Sequence, residues 1–361
     1  MTTKQEGRLG DPNMDLRTDP RMDPKLLKAL AAVGLDAYAV DPPIRHSDLH
    51  EQKLEYVKNV NSNFNAFLNT LPNDLPDDHK RGKVDYRTET IKGTDNNDIV
   101  LHIFRPEGVE GPLPCVVYIH GGGMVIIKTE NRASKTWCED LALTGLVLIA
   151  IDFRNAYTDE GLHPYPAGLN DCGSGVAWID THRKDLGITK IVLQGESGGA
   201  NLCCATMLKA KRDGKLSMID GVYAMVPYIS GAYGWDEERK LAHLPSLVEC
   251  NGYFLNCQQM EVMTGFYDPT AEHASNPLAW PLSASKEDLA DLPPHVVVVD
   301  ELDPLRDEGR EYLRKLVQAD VKAIGRVNLG ITHAADSIMR QAIPEVYKMT
   351  ISDIKRFVDS L

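Results

Sequence analysis

The chain has 361 residues, 43% hydrophobic and 25% charged, with a formal net charge of −13. That is ordinary globular composition with enough apolar material for a large core, and its acidic balance repels nucleic-acid phosphates and anionic lipid, so neither is an expected partner. No window approaches the ~18 apolar residues of a membrane helix, the start MTTKQEGRLG lacks a signal-like apolar region, and the seven cysteines lack zinc-like spacing, so free thiols in a reducing cytoplasm are expected.

Residues 1–82 read as an N-terminal helical segment. Asp23-Pro24 before KLLKALAAVGL supplies a capping acid and a first-turn proline. In the next stretch Leu49, Leu54, Val57, Val60, Phe64 and Leu68 recur at helical spacing, which predicts an amphipathic helix. From 83 onward VDYRTETIKG and DIVLHIFRP alternate like antiparallel strands. Short apolar runs follow: CVVYIH (115–120), GLVLIAID (145–152), KIVLQG (190–195), GVYAMVP (221–227), HVVVVD (295–300) and GRVNL (325–329). Helix-like stretches separate most of them. The alternation predicts an α/β fold, a mostly parallel central sheet with helices on both faces. Its core would comprise 83–227 and 290–361. The interval 228–289 is too long for an ordinary connection. It holds Tyr228, Tyr233, Trp235, Tyr253, Phe254, Phe266 and Tyr267. Such an insertion is either a lid over a pocket, with the N-terminal segment as its partner, or a satellite core.

Four motifs carry chemistry. Gly195-Glu196-Ser197-Gly198-Gly199 directly follows an apolar run and directly precedes a helix-like one. That context suits a nucleophilic serine on a strained strand-to-helix turn, with glycines relieving crowding. His120-Gly121-Gly122-Gly123 ends another strand-like run. Backbone N–H groups of Gly122 and Gly123, with that of Gly198, can form an oxyanion hole, and each such donor typically contributes ~3 kcal/mol. Met124 and Val125 next to it are candidates for the substrate pocket. After HVVVVD the segment ELDPLRDEG offers two aspartates. Asp303 is delivered first by the strand and can orient an imidazole, whereas Asp307 and Glu308 suit the flank of the following helix. Of the eleven histidines, His333 alone follows the last strand and precedes the terminal helix. The order Ser197, Asp303, His333 is that of a serine hydrolase triad. A serine hydroxyl needs a base at neutral pH, and His333 can take its proton and return it to a leaving group. The expected reaction is acyl transfer through an acyl-enzyme, with no metal and no cofactor.

Together YIHGGGM, DFRNA, HPYPAGLNDC, LQGESGGANL, SNPLAWPL, LPPHVVVVDELDPLRDEGREYLRKL and GITHAA resemble the hormone-sensitive-lipase branch of the α/β-hydrolases, over about residues 85–340. The resemblance implies a serine carboxylesterase with the triad on Ser197, Asp303 and His333 and oxyanion glycines at Gly122 and Gly123. It implies a cap built from the N-terminal helices and the late insertion, and small to medium hydrophobic esters, or an internal ester such as a macrocyclic lactone, as substrates. The family commonly has alanine where Gly198 stands, an aromatic where Met124 stands, and DYRLAPE where this chain reads DFRNAYTDEG. The alternative is a ligand receptor on the same fold without turnover, a reading that the presence of His333 opposes. The sequence leaves the oligomeric state open.

Overall fold

The computed structural model describes residues 6–361, so the first five residues of the 1–82 segment lie outside the described residues. Strands β1 (Val84–Lys92), β2 (Asp98–Pro106), β3 (Leu113–Ile119) and β4 (Val147–Asp152) are followed by a small hairpin, β5 (Tyr157–Thr158) and β6 (Gly161–Leu162). Then come β7 (Ile188–Glu196), β8 (Gly221–Met225), β9 (His295–Leu302) and β10 (Ala323–Thr332). The main sheet has eight strands in the order β1-β2-β4-β3-β7-β8-β9-β10. β1, β2 and β4 pair antiparallel, and every pairing from β4 through β10 is parallel. This is the α/β architecture that the alternation of apolar runs and helices predicts.

Strand alternation sends successive side chains to opposite faces, and here both faces are dry. On β3, Cys115, Val117 and Ile119 enter one core while Val116 and Tyr118 enter the other. β8 and β9 divide in the same way. Helices Ala167–Thr181, Gly198–Arg212 and Arg306–Gln318 cover the first face; Arg132–Ala142 and Pro344–Asp359 cover the second. Each fully buried valine or leucine stabilises the fold by roughly 1.5–3 kcal/mol. The run GRVNL departs from this picture. β10 is an edge strand, with a neighbour only on the β9 side, and it leaves Val327 and Leu329 exposed.

The N-terminal residues form the expected helices, Pro24–Ala32 and His50–Thr70. Asp23 caps the first by accepting from the Lys25 and Leu26 N–H groups. In the second, Val57, Val60 and Leu68 are buried, but Leu49 lies just before the first turn and is exposed. Helical spacing therefore extends one residue beyond the helix that uses it. The aromatic residues of the 228–289 interval divide between two surroundings. Tyr228, Tyr233, Phe266 and Tyr267 join the main core, while Phe254 faces a cavity. All seven cysteines are buried and free. Among the described residues no helix is long and apolar enough to cross a membrane.

A third apolar cluster lies at the carboxyl ends of β9 and β10. It joins Leu16, Leu26 and Leu30 of the N-terminal segment to Cys250 and Tyr253 of the insertion and to Leu302 and Ile331. Beside it runs a buried ionic chain. Glu249 accepts from Arg21 Nη1 and from Arg306 Nη2, each at 2.6 Å. Arg21 also pairs with Asp19, which accepts from the Tyr253 hydroxyl at 3.0 Å. Glu249 thus joins the N-terminal segment, the insertion and the start of the helix after β9. Glu249→Ala leaves both arginines short of a buried partner and is expected to destabilise the chain by about 3 kcal/mol, read as a lower urea midpoint; an unchanged midpoint rules this coupling out.

Candidate active site

The motif GESGG sits where β7 ends and helix Gly198–Arg212 begins. Ser197 has φ 56° and ψ −121°, a conformation that costs an L-residue of order 1–3 kcal/mol. Its N–H donates to Met225 O at 3.0 Å, and its carbonyl accepts from Tyr228 N at 3.2 Å and Asn201 N at 3.1 Å. The turn therefore borrows its stability from β8 and the helix. Its hydroxyl opens into an apolar cavity.

Asp303 follows β9 and is fully buried. Its Oδ2 accepts from His333 Nδ1 at 2.8 Å, and its Oδ1 accepts from Leu305 N at 2.9 Å. The first bond makes Nδ1 the protonated nitrogen and leaves Nε2 to serve as a base. His333 lines the same cavity as Ser197. The structure holds no hydrogen bond between the two side chains, and the cavity they share lies between them and the apolar wall. Asp307 is engaged elsewhere. Its Oδ2 accepts from Ser246 N at 2.8 Å, and its Oδ1 faces Arg306 and Arg310. Glu308 is buried and accepts from Ile229 N and the Tyr233 hydroxyl, each at 3.0 Å. Both acids stand in the first turn of their helix, yet they fasten the 228–289 insertion.

The glycine loop after β3 is held from several sides. The His120 ring donates from Nδ1 to Gly121 O at 2.7 Å and stacks on Phe153. Glu196 Oε1 accepts from Gly121 N at 2.8 Å and from the Tyr118 hydroxyl at 3.0 Å. Burial lifts the Glu196 carboxyl to about 7, against those two hydrogen bonds. Gly122 has φ 106°, and a Cβ there would stand 2.2 Å from Ile126 O. The loop then turns tightly, with Val125 N and Ile126 N donating to Gly122 O. Among the described residues the N–H groups of Gly122, Gly123 and Gly198 donate to no protein acceptor. Gly198 packs directly on the loop, so that a Cβ on it would stand 2.7 Å from Gly123 N.

Met124 and Val125 are corrected as pocket residues. The turn, with Met124 at φ 61°, sends both side chains into the main core, and Ile126 and Ile127 line the cavity instead. The remaining wall comes from distant parts of the chain. Phe64 and Phe67 come from helix His50–Thr70, and Phe254, Met260 and Met263 from the insertion. The same helix braces the glycine loop, with Asn61 Oδ1 accepting from Ile127 N at 2.9 Å and Asn65 Oδ1 from Lys128 N at 3.0 Å. The unusual DFRNAY stretch braces it from the other side, where Ala156 N donates to Met124 O at 2.8 Å. Sequence reasoning missed Glu196, Asn61, Asn65 and Phe67. Glu196 adjoins the serine and was open to notice; the others carry no motif. Among the described residues no cluster of three His, Cys, Asp or Glu side chains is arranged to hold a metal ion.

Comparison with known proteins bears on the fold and the family. The profile of a family described as alpha/beta hydrolase fold matches residues 116–336. An arylesterase of Saccharolobus solfataricus is 33% identical over 225 residues, covering 61% of this chain and 67% of that protein. A carboxylesterase of Mycobacterium tuberculosis is 28% identical over 260 residues, covering 70% and 74%. Among solved structures, brefeldin A esterase, a bacterial homologue of human hormone sensitive lipase, superposes with a TM-score of 0.97 at 51% identity, covering 98% of both chains. Esterase Est22 superposes with a TM-score of 0.83 at 34% identity, covering 95% of this chain and 99% of that one.

Gly122→Ala forces an L-residue to φ 106° and places a methyl group 2.2 Å from Ile126 O, where only backbone can give way. It is expected to lower kcat on an ester substrate about tenfold or more, with KM little changed. Wild-type kcat in steady-state assays of this variant excludes a role for the tight turn in placing the loop's N–H groups.

Proposed function

We propose that this chain, which belongs to the alpha/beta hydrolase family and is a carboxylic ester hydrolase, works through a triad of Ser197, His333 and Asp303. The observation that carries the reading is the buried Asp303–His333 hydrogen bond, which presents His333 to the cavity that Ser197 also lines. The Ser197 hydroxyl attacks the ester carbonyl carbon while His333 Nε2 takes its proton. Asp303 stabilises the resulting imidazolium and keeps its orientation. The N–H groups of Gly122, Gly123 and Gly198 stabilise the oxyanion. His333 then protonates the leaving alkoxide, and water, deprotonated by the same ring, releases the acid from the acyl-serine.

The substrate follows from the wall. Phe64, Phe67, Ile126, Phe254, Met260 and Met263 offer no charge to an acid or an amine. They suit a small to medium hydrophobic ester. A macrocyclic lactone of the brefeldin A kind meets the same requirement, and the likeness to a brefeldin A esterase over the whole chain supports it. Residues 1–82 and 228–289 serve as the cap over a core of 83–227 and 290–361. Seven buried free thiols fit a reducing compartment, and we place the chain in the cytoplasm.

Hydrolysis of p-nitrophenyl esters of increasing acyl length, with brefeldin A as a further substrate, tests this reading. Ser197→Ala is expected to remove turnover without altering the fold, and residual wild-type activity would overturn the nucleophile. Asp303→Asn is expected to cost about 10³–10⁴-fold in kcat, far more than Asp307→Asn. The reverse order would transfer the role to Asp307.

A further inference from the structure

Two buried aspartates flank the Asp303–His333 pair. Asp300 lies on β9 before Asp303, and Asp336 lies in the turn after His333. Both are fully buried. Both accept from a single nitrogen, Asn328 Nδ2 on β10, at 2.9 and 3.1 Å. The two carboxyls are therefore close neighbours. The Thr350 hydroxyl donates to Asp336 Oδ2 at 3.0 Å. What remains is one bare oxygen on each, Asp300 Oδ2 and Asp336 Oδ1, both buried and without a partner. No lysine or arginine among the described residues donates to either carboxyl.

Two neighbouring carboxyls in a dry site cannot both ionise, and such pairs retain one proton between them. We propose that Asp300 and Asp336 share one proton through their bare oxygens and act as a positioning pair for His333. The hydrogen bond so formed joins the strand that carries Asp303 to the turn that carries His333. That turn needs a tether, because Ala334, next to His333, has φ 56°.

The electrostatic surroundings agree. Burial lifts Asp336 to about 6, against the hydrogen bonds from Thr350 and Asn328. Burial, and then the facing Asp336 and Asp303, hold Asp300 well above the usual carboxylate range. The other titratable groups facing the pair are His333 beside Asp336, Glu196 at the end of β7 and Tyr223 on β8. The C-terminal helix presents the neutral Thr350. His333 alone among these can become a cation. Both folded-state values lie above that of an unfolded aspartate. The shared proton therefore stabilises the fold fully at acid pH, and the contribution is lost as pH rises through them.

The kinetic part of the test rests on the esterase reading above; the spectroscopic part does not. Infrared spectra of the folded chain at pH 7 are expected to show a protonated-carboxyl band. Asp300→Asn and Asp336→Asn should each reduce it by the same amount, and the double substitution should reduce it no further. Bands unchanged by both substitutions, or a double variant that loses twice as much, would overturn proton sharing. In ester assays Asp336→Ala is expected to lower kcat about 10- to 100-fold with little change in KM. Asp336→Asn, which keeps a donor that cannot ionise, should recover most of that loss. It should also lack the fall in kcat expected of the wild type at alkaline pH as the shared proton leaves. The same alkaline fall in wild type and Asp336→Asn, or wild-type kcat in Asp336→Ala, overturns the positioning role. If the wild type turns over no ester at all, the infrared comparison still decides the pairing, so the two failures stay distinct.

Discussion

The structure depends on one unfavourable turn. Ser197 occupies a backbone conformation that L-residues avoid, at the point where a central strand becomes a helix. The neighbours that keep it there come from β8, the residues just after it and the helix. Tyr228 N and Met225 O take up its backbone groups, and the Asn201 side chain, one helical turn on, donates to Tyr228 O at 2.9 Å and Ala279 O at 3.0 Å. Gly198 lets the glycine loop come down onto the start of the helix. Relaxing the turn would therefore move the hydroxyl and the neighbouring N–H groups together. Strain of this kind persists only where packing overdetermines it, as the two-sided parallel sheet does here.

The second constraint is the treatment of negative charge. Glu196, Asp300, Asp303, Asp336 and Glu308 are all buried near the carboxyl ends of the central strands. They are resolved in three ways. Asp303 faces an imidazole. Glu196 holds a backbone N–H and a tyrosine hydroxyl, and Glu308 another such pair. Asp300 and Asp336 face one another across an asparagine amide. Burial raises the carboxyls of Glu196 to about 7 and of Glu308 to about 8. Neutral acids cost far less to bury than ionised ones, and they can donate as well as accept. The acidic balance of the chain as a whole has no part in this, since most of its charge lies on the solvated surface.

The cavity wall is shared by segments far apart in the chain. Helix His50–Thr70 reaches it with Phe64 and Phe67, and the insertion with Phe254, Met260 and Met263. Their attachments differ in kind. Asn61 and Asn65 hold the first to the glycine loop through neutral hydrogen bonds. Asp307 and the Arg21–Glu249–Arg306 chain hold the second through charges, with Glu308 adding hydrogen bonds to Ile229 N and the Tyr233 hydroxyl. Substrate selection and the integrity of the glycine loop are therefore mechanically linked. A change in the N-terminal helix reaches the proposed oxyanion donors without touching them.

The amino-acid sequence by itself determined the fold class, because apolar runs of strand length separated by helices admit few other arrangements. It also singled out Ser197, Asp303 and His333, since each stands just beyond a strand in a fixed chain order. The preference for Asp303 over Asp307 rested on position along the strand alone, and Asp303 is the one of the two that meets His333. Local pattern failed where a residue's role depends on which way a turn aims it. Met124 and Val125 adjoin the glycines, yet a tight turn sends them into the core. Val327 and Leu329 look like buried strand residues, yet they lie on an edge. Only the tertiary structure brought Phe67 and Phe254 to the cavity and Asn61 to the glycine loop, and set Asp336 against Asp300. Those contacts join residues far apart in the chain, and no local periodicity or spacing encodes which distant side chain will meet a given loop.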